Sequence, residues 1–224
     1  MRLSRSLLLV TLGGIAAIVV LRVSLTAFSS AASAPGCTPQ TADGLFDPTE
    51  TIAVWQNRTL TPPGAQNDSG LALEKSDPAA QVLGVNDNKW IEIDLGKQKL
   101  IAHEGGQVFT DSLISSGLGN RTPVGEYRIW YKIRSTKMEG GSRLNRTYYY
   151  LPNVPYAMFF FGSYGIHGTY WHSNFGHRMS HGCVNAPTSI AEKLFYWTDP
   201  PLTPGKSYVR STAENPGTRV IVHN

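Results

Sequence analysis

Cysteine is nearly absent from these 224 residues: Cys37 and Cys183 are the only two. Too few and too far apart for a disulfide scaffold, they leave any compact fold to be held by its apolar core. Charge is also sparse, with Asp, Glu, Lys and Arg at 16%, which excludes an acidic disordered chain or a helical array rich in Glu and Lys. No acidic residue precedes Asp43, and Arg2, Arg5 and Arg22 are three of the 20 basic residues. Beyond them 17 basic residues face 16 acidic ones, so the basic pI is no sign of a nucleic-acid surface, and no nucleic-acid partner is expected. No repeat of fixed period is visible, which excludes solenoids and propellers. What remains is 41% hydrophobic, with 22 Gly and 14 Pro, the texture of a turn-rich, β-leaning globular domain.

An apolar run from Leu7 to Leu21 comes after Arg2 and Arg5, and small residues extend to Ala34. That is the order of a secretory leader. The run is shorter than the roughly 20 residues of a spanning helix unless it continues past Arg22 to Phe28. Residues 1–36 are therefore a signal peptide or an N-terminal membrane anchor, and both place the rest of the chain outside the cytoplasm. Cys37 comes directly after Ala34-Pro35-Gly36, which lacks the Leu of a lipoprotein box and has Pro inside it. Cys183 is then a thiol in an oxidising compartment, which calls for an explanation.

Residues 37–87 are rich in Pro, Thr, Asp and Gly around one short apolar stretch, Ile52–Trp55, and read as a linker or small irregular subdomain. From Lys89 the texture changes. Alternation of apolar and polar residues predicts strands at Trp90–Asp94 and Lys99–His103, then at Gln107–Ser115 and Tyr127–Ile133. Aromatic-rich strands come next at Tyr148–Leu151 and Ala157–Phe161, with a closing one at Arg219–Val222. One helix is predicted: Ser189 and Glu192 form a capping box after Pro187, and Ile190, Leu194 and Trp197 share a face.

Four of the six histidines, His167, His172, His177 and His181, lie within fifteen residues, and Cys183 comes two residues later. Three readings compete. Cys183 as a small buried hydrophobe sits poorly with the Gly and polar residues around it. A zinc site sits poorly with histidine spacings of 5, 5 and 4, which repeat no helical face, and with the lack of a second nearby Cys. A cysteine nucleophile with a histidine base suits the pattern: an imidazole takes the thiol proton, and Gly182 lets the backbone turn so that amides can face a developing oxyanion.

Ile166-His167-Gly168-Thr169 and Ser180-His181-Gly182-Cys183-Val184-Asn185 resemble the L,D-transpeptidase catalytic domain, also called the YkuD domain. The likeness extends over residues 88–224. It takes in Trp90–Asp94 with Gln98, Ser115-Ser116-Gly117, Thr122-Pro123-Val124-Gly125 and Gly217-Thr218-Arg219-Val220. The resemblance implies a mainly β fold in which mixed sheets pack on each other, sandwich-like, with a short helix after the nucleophile loop. It implies Cys183 as nucleophile, His167 as general base and the Gly168 carbonyl as its orienter. Amides near Gly182 and Cys183 would form the oxyanion hole, with Ser180 and His181 in support and Trp171 flanking the substrate cleft. Asn185 is expected at a substrate-binding position two residues after the nucleophile, where the family often has Arg, so the resemblance carries over no Arg–carboxylate clamp at that point.

The function implied is that of an exported bacterial cell-wall enzyme that cross-links peptidoglycan stem peptides through a thioester on Cys183. No metal, nucleotide or other cofactor is needed. The membrane is a partner only if the leader stays uncleaved, and carbapenem β-lactams are expected covalent inhibitors. Hydrolysis of the same thioester is the near alternative, and a non-catalytic wall-binding module the distant one; a pure binder has no need of Cys183 with His167. His172 and His177 read as ordinary loop residues, each replaceable at little cost.

Overall fold

The computed structural model describes residues 43–64 and 88–224. The leader and Cys37, with the readings that rest on them, lie outside these residues. Strands run in chain order as β1 (Ala53–Trp55), β2 (Arg58–Leu60), β3 (Lys89–Asp94), β4 (Lys99–Glu104), β5 (Gln107–Leu113) and β6 (Gly125–Arg128). They continue as β7 (Tyr131–Gly140), β8 (Tyr149–Phe161), β9 (Tyr164–Thr169), β10 (Val184–Pro187), β11 (Tyr208–Arg210) and β12 (Arg219–His223), with helix α1 (Thr188–Trp197) after β10. This is the expected mainly β architecture with mixed sheets and one short helix. Among the described residues no helix is long and apolar enough to cross a membrane.

A five-stranded sheet orders β5-β4-β3-β12-β6, with β3 and β12 parallel and the other pairs antiparallel. Its alternation is simple: Ile91, Ile93, Leu100, Ala102, Val220 and Val222 are buried, while Glu92 and His103 on the opposite face join through a 3.1 Å contact. The buried set packs with Ala191, Leu194 and Phe195 of α1 and with Met158, Phe160, Ile166, Val184 and Ala186 of the second sheet. That second, seven-stranded sheet is organised around β8. β7 pairs along one edge of β8, so β1 and β9 must share the other: β1 beside Tyr149 and Tyr150, β9 beside Met158 to Phe161. A second apolar cluster, which includes Tyr131, Met138, Leu151, Val154 and Phe159, lies apart from the first.

Several expectations need correction. Tyr127–Ile133 is two strands in different sheets, because the chain crosses over at Ile129 and Trp130, whose amides donate to Thr218 O and Phe159 O. Tyr148–Leu151 and Ala157–Phe161 are parts of one strand, β8, which absorbs Pro152 and Pro155 by taking positive φ at Asn153 and Tyr156. The capping box does not form. Pro187 stands at the cap with no side-chain bond, and the Glu192 carboxylate instead accepts from Tyr156 OH at 2.8 Å. Apart from these corrections, the described part of segment 37–87 is tied to the sheet. β1 pairs with β8, Asp47 exchanges hydrogen bonds with the Asn153 side chain, and Tyr150 OH donates to Glu50 at 2.6 Å.

Candidate active site

β9 and β10 run parallel, with His167 opposite Asn185. Residues partnered across a ladder project to the same face, which brings His167 and the strand just after Cys183 side by side. Neither strand was predicted. His167, Trp171, Ser180, His181, Gly182, Cys183 and Asn185 all line one open cleft. Gly168 contributes through its backbone: its carbonyl accepts from His167 Nδ1 at 3.0 Å. A carbonyl can only accept, so Nδ1 carries the proton and Nε2 is the lone-pair nitrogen, the state a general base requires. His167 is 2% exposed and Cys183 7%. The thiol donates to Ser163 O at 3.6 Å.

The loop before Cys183 is held by Ser180, expected there in support, and by Thr122, Ser115, Ser116 and Gln98, to which the sequence assigned no role of their own. Ser180 Oγ accepts from the Gly182 amide at 3.0 Å and donates to the Cys183 carbonyl. Thr122 Oγ1 accepts from Gly117 N and donates to Gly182 O, each at 2.8 Å. Ser115 and Asn185 exchange backbone bonds of 2.9 Å, and Ser116 O accepts from the amides of Met179 and Ser180. Gln98 in turn grips Ser116, donating to its hydroxyl and accepting from its amide. Gly182 has φ 148°, and a Cβ there would lie 2.6 Å from the Tyr164 ring, so only glycine fits. The amide of Gly182, offered by the resemblance as an oxyanion donor, is turned to Ser180 in this structure.

His172 departs from its expectation as a loop residue. Asn185 Nδ2 donates to His172 Nε2 at 2.8 Å, and the ring sits 5.9 Å from Trp55 and 5.3 Å from Phe175. Burial, with the neighbouring His167 adding to it, pushes its pKa down to about 4, which keeps it the neutral acceptor this bond needs. Asn185 is thus committed to the His172 ring. His181 is likewise lowered, first by burial and then by Arg121, and its ring packs 4.8 Å from Tyr149. His177 is exposed. Cleft residues that sequence reasoning missed are Trp55, Met138, Tyr149 and Leu151. Each reaches the site through sheet pairing, which leaves no local mark in the sequence.

Residues 88–222 match the family described as the L,D-transpeptidase catalytic domain, YkuD. The chain belongs to this family. Among solved structures, an Enterococcus faecium L,D-transpeptidase carrying a cysteine-to-serine mutation is 29% identical, with 61% of this chain and 50% of that one covered and a TM-score of 0.46. The catalytic domain of the E. faecium L,D-transpeptidase acylated by ertapenem is 28% identical, with 62% and 100% covered and a TM-score of 0.46. An L,D-transpeptidase from Mycobacterium smegmatis is 20% identical, with 61% and 59% covered and a TM-score of 0.49. The chain spans about half the length of the mutant enterococcal enzyme. No curated protein matches it significantly. The L,D-transpeptidase match starts at residue 88, so Trp55, on the cleft wall, lies outside the family's span.

Proposed function

We propose that this L,D-transpeptidase domain transfers an acyl group between peptidoglycan stem peptides, with Cys183 as nucleophile and His167 as base. His167 Nε2 takes the thiol proton, the thiolate attacks the carbonyl at the L-centre of a diamino acid in a donor tetrapeptide, and His167 returns the proton to the departing D-Ala amine. A side-chain amine of a second stem then attacks the thioester, gives a proton to His167 and releases the thiolate as the new amide forms. The observation that supports this reading is the pairing of β9 with β10: it sets His167, whose Nδ1 bond to Gly168 O leaves Nε2 with its lone pair, in one cleft with Cys183. The substrate lies outside the cytoplasmic membrane, so export by the leader belongs to the same proposal.

Ertapenem is the probe, since its strained amide carbonyl offers the nucleophile a substitute for the stem. Intact mass should show one adduct on the protein and none on Cys183→Ala. An adduct that persists in Cys183→Ala, or none on the unaltered protein, would overturn the assignment. With a tetrapeptide and an amine acceptor, the product should be the cross-linked dimer; free tripeptide acid alone would mean hydrolysis.

A further inference from the structure

The hairpin β1–β2 lies outside the family's matched span, yet one of its side chains stands on the wall of the catalytic cleft. Its two-residue turn, Gln56-Asn57, has φ of 51° and 63°, the left-handed pair that closes a tight hairpin with the twist of its strands. Val54 and Trp55 pair with Tyr150 and Tyr149 at the start of β8. The segment is further pinned by Asn57, which takes Tyr148 O with its amide and Arg143 O with its side chain, and by the bonds of Asp47 and Glu50 to β8. These ties set Trp55 with its ring 6.0 Å from Trp171, 5.9 Å from His172 and 6.4 Å from Tyr149. Ala53 is fully buried, whereas Trp55 is only half-buried and lines the cleft beside Cys183 and His167.

We propose that the β1–β2 hairpin is part of the catalytic cleft and that Trp55 is a specificity-determining residue, its indole bearing on the acyl-donor peptide at the β8 side of Cys183. The proposal rests on the transpeptidase reading above. The cleft lining contains no Asp, Glu, Lys or Arg, so the subsite built by Trp55, Trp171 and Tyr149 takes an uncharged stretch of peptide by ring contact and dispersion rather than by ion pairing. Binding there depends little on salt.

The test is the Kd of a synthetic tetrapeptide stem for the full chain carrying Cys183→Ala, which needs no turnover. Adding Trp55→Ala should raise Kd about tenfold, a change of about 1.4 kcal/mol, equally at low and high salt. Trp55→Phe, which keeps a ring and the hairpin packing, should recover part of the loss. An unchanged Kd in Trp55→Ala would overturn the proposal, as would a loss that salt abolishes. If Trp55→Ala fails to fold, Trp55→Phe decides alone: a Kd raised about threefold with the melting temperature kept supports a contact, and an unchanged Kd refutes it. A Cys183→Ala parent that binds no stem would sink the transpeptidase reading itself, whereas a parent that binds regardless of Trp55 sinks only the role of the hairpin.

Discussion

In Ser180→Ala one oxygen leaves a site that is 4% exposed, and two bonds go with it. The Gly182 amide loses its acceptor and the Cys183 carbonyl loses its donor, both on buried residues. A buried polar group left without a partner costs about 1–3 kcal/mol. The Gly182 amide alone, eased by some relaxation of the loop, puts the loss of stability at about 1–3 kcal/mol. The kinetic effect comes from what the bonds hold. Ser180 ties the residues on either side of the Gly182–Cys183 peptide, while Thr122 grips Gly182 O and Ser115 grips Asn185, so removing the Ser180 tie loosens the backbone at Cys183, the proposed nucleophile, between two anchored points. Misplacing a reacting atom by about 1 Å costs about a hundredfold in rate, and ertapenem acylation of Ser180→Ala should slow by about that factor. Urea denaturation gives the stability, and the growth of the adduct by intact mass gives the rate. Ser180→Thr, which keeps the oxygen, should retain more of both. Acylation of Ser180→Ala within about threefold of the parent, despite the lost stability, would refute the claim that this hydroxyl positions the nucleophile.

Lys132 is fully buried, donates to Thr198 O at 2.7 Å near the end of α1, and is pushed down by burial from 10.5 to about 7, with Asp199 opposing. The fold therefore disfavours the charged amine: its stability should be lowest below pH 7 and rise by about 1.4 kcal/mol per pH unit above it, and denaturation between pH 7 and 9.5 should show this slope in the parent and a flatter one in Lys132→Met. His172→Ala removes the acceptor of Asn185 and a ring under Trp55, so it should slow acylation about tenfold through lost positioning, while exposed His177→Ala should leave the rate within about twofold; equal rates in the two variants would show that the Asn185 bond does not matter.

How much was legible depended on how each residue meets its surroundings. β3 and β4 were visible because they bury one face and leave the other partly open, so Ile91 and Ile93 alternate with Trp90 and Glu92. β9 and β10, which carry the site, show no alternation: five of the six residues of β9 and three of the four of β10 are buried. The Gly residues that leave β9 unreadable are there for the packing, as at Gly168, where a Cβ would lie 2.8 Å from Pro155. Alternation also ran straight through Ile129 and Trp130 while the chain changed sheets, since side chains can keep their inside–outside order as their hydrogen-bond partners change. The capping box failed because Tyr156, on β8, offered Glu192 a tertiary partner that no local pattern shows. Cys183 and His167 stood out because the residue types that a thiolate chemistry would need lie close together in the sequence. Trp55 is the opposite case. It reaches the cleft only because β1 takes the free edge of β8 beside Tyr149, and a contact made through strand pairing across nearly a hundred residues is encoded in the apolar fit of two surfaces rather than in the spelling of either. A motif therefore reports the residue types that a chemistry would need, while part of the cleft wall, here Trp55 with Met138, Tyr149 and Leu151, comes from segments that lie outside the motif.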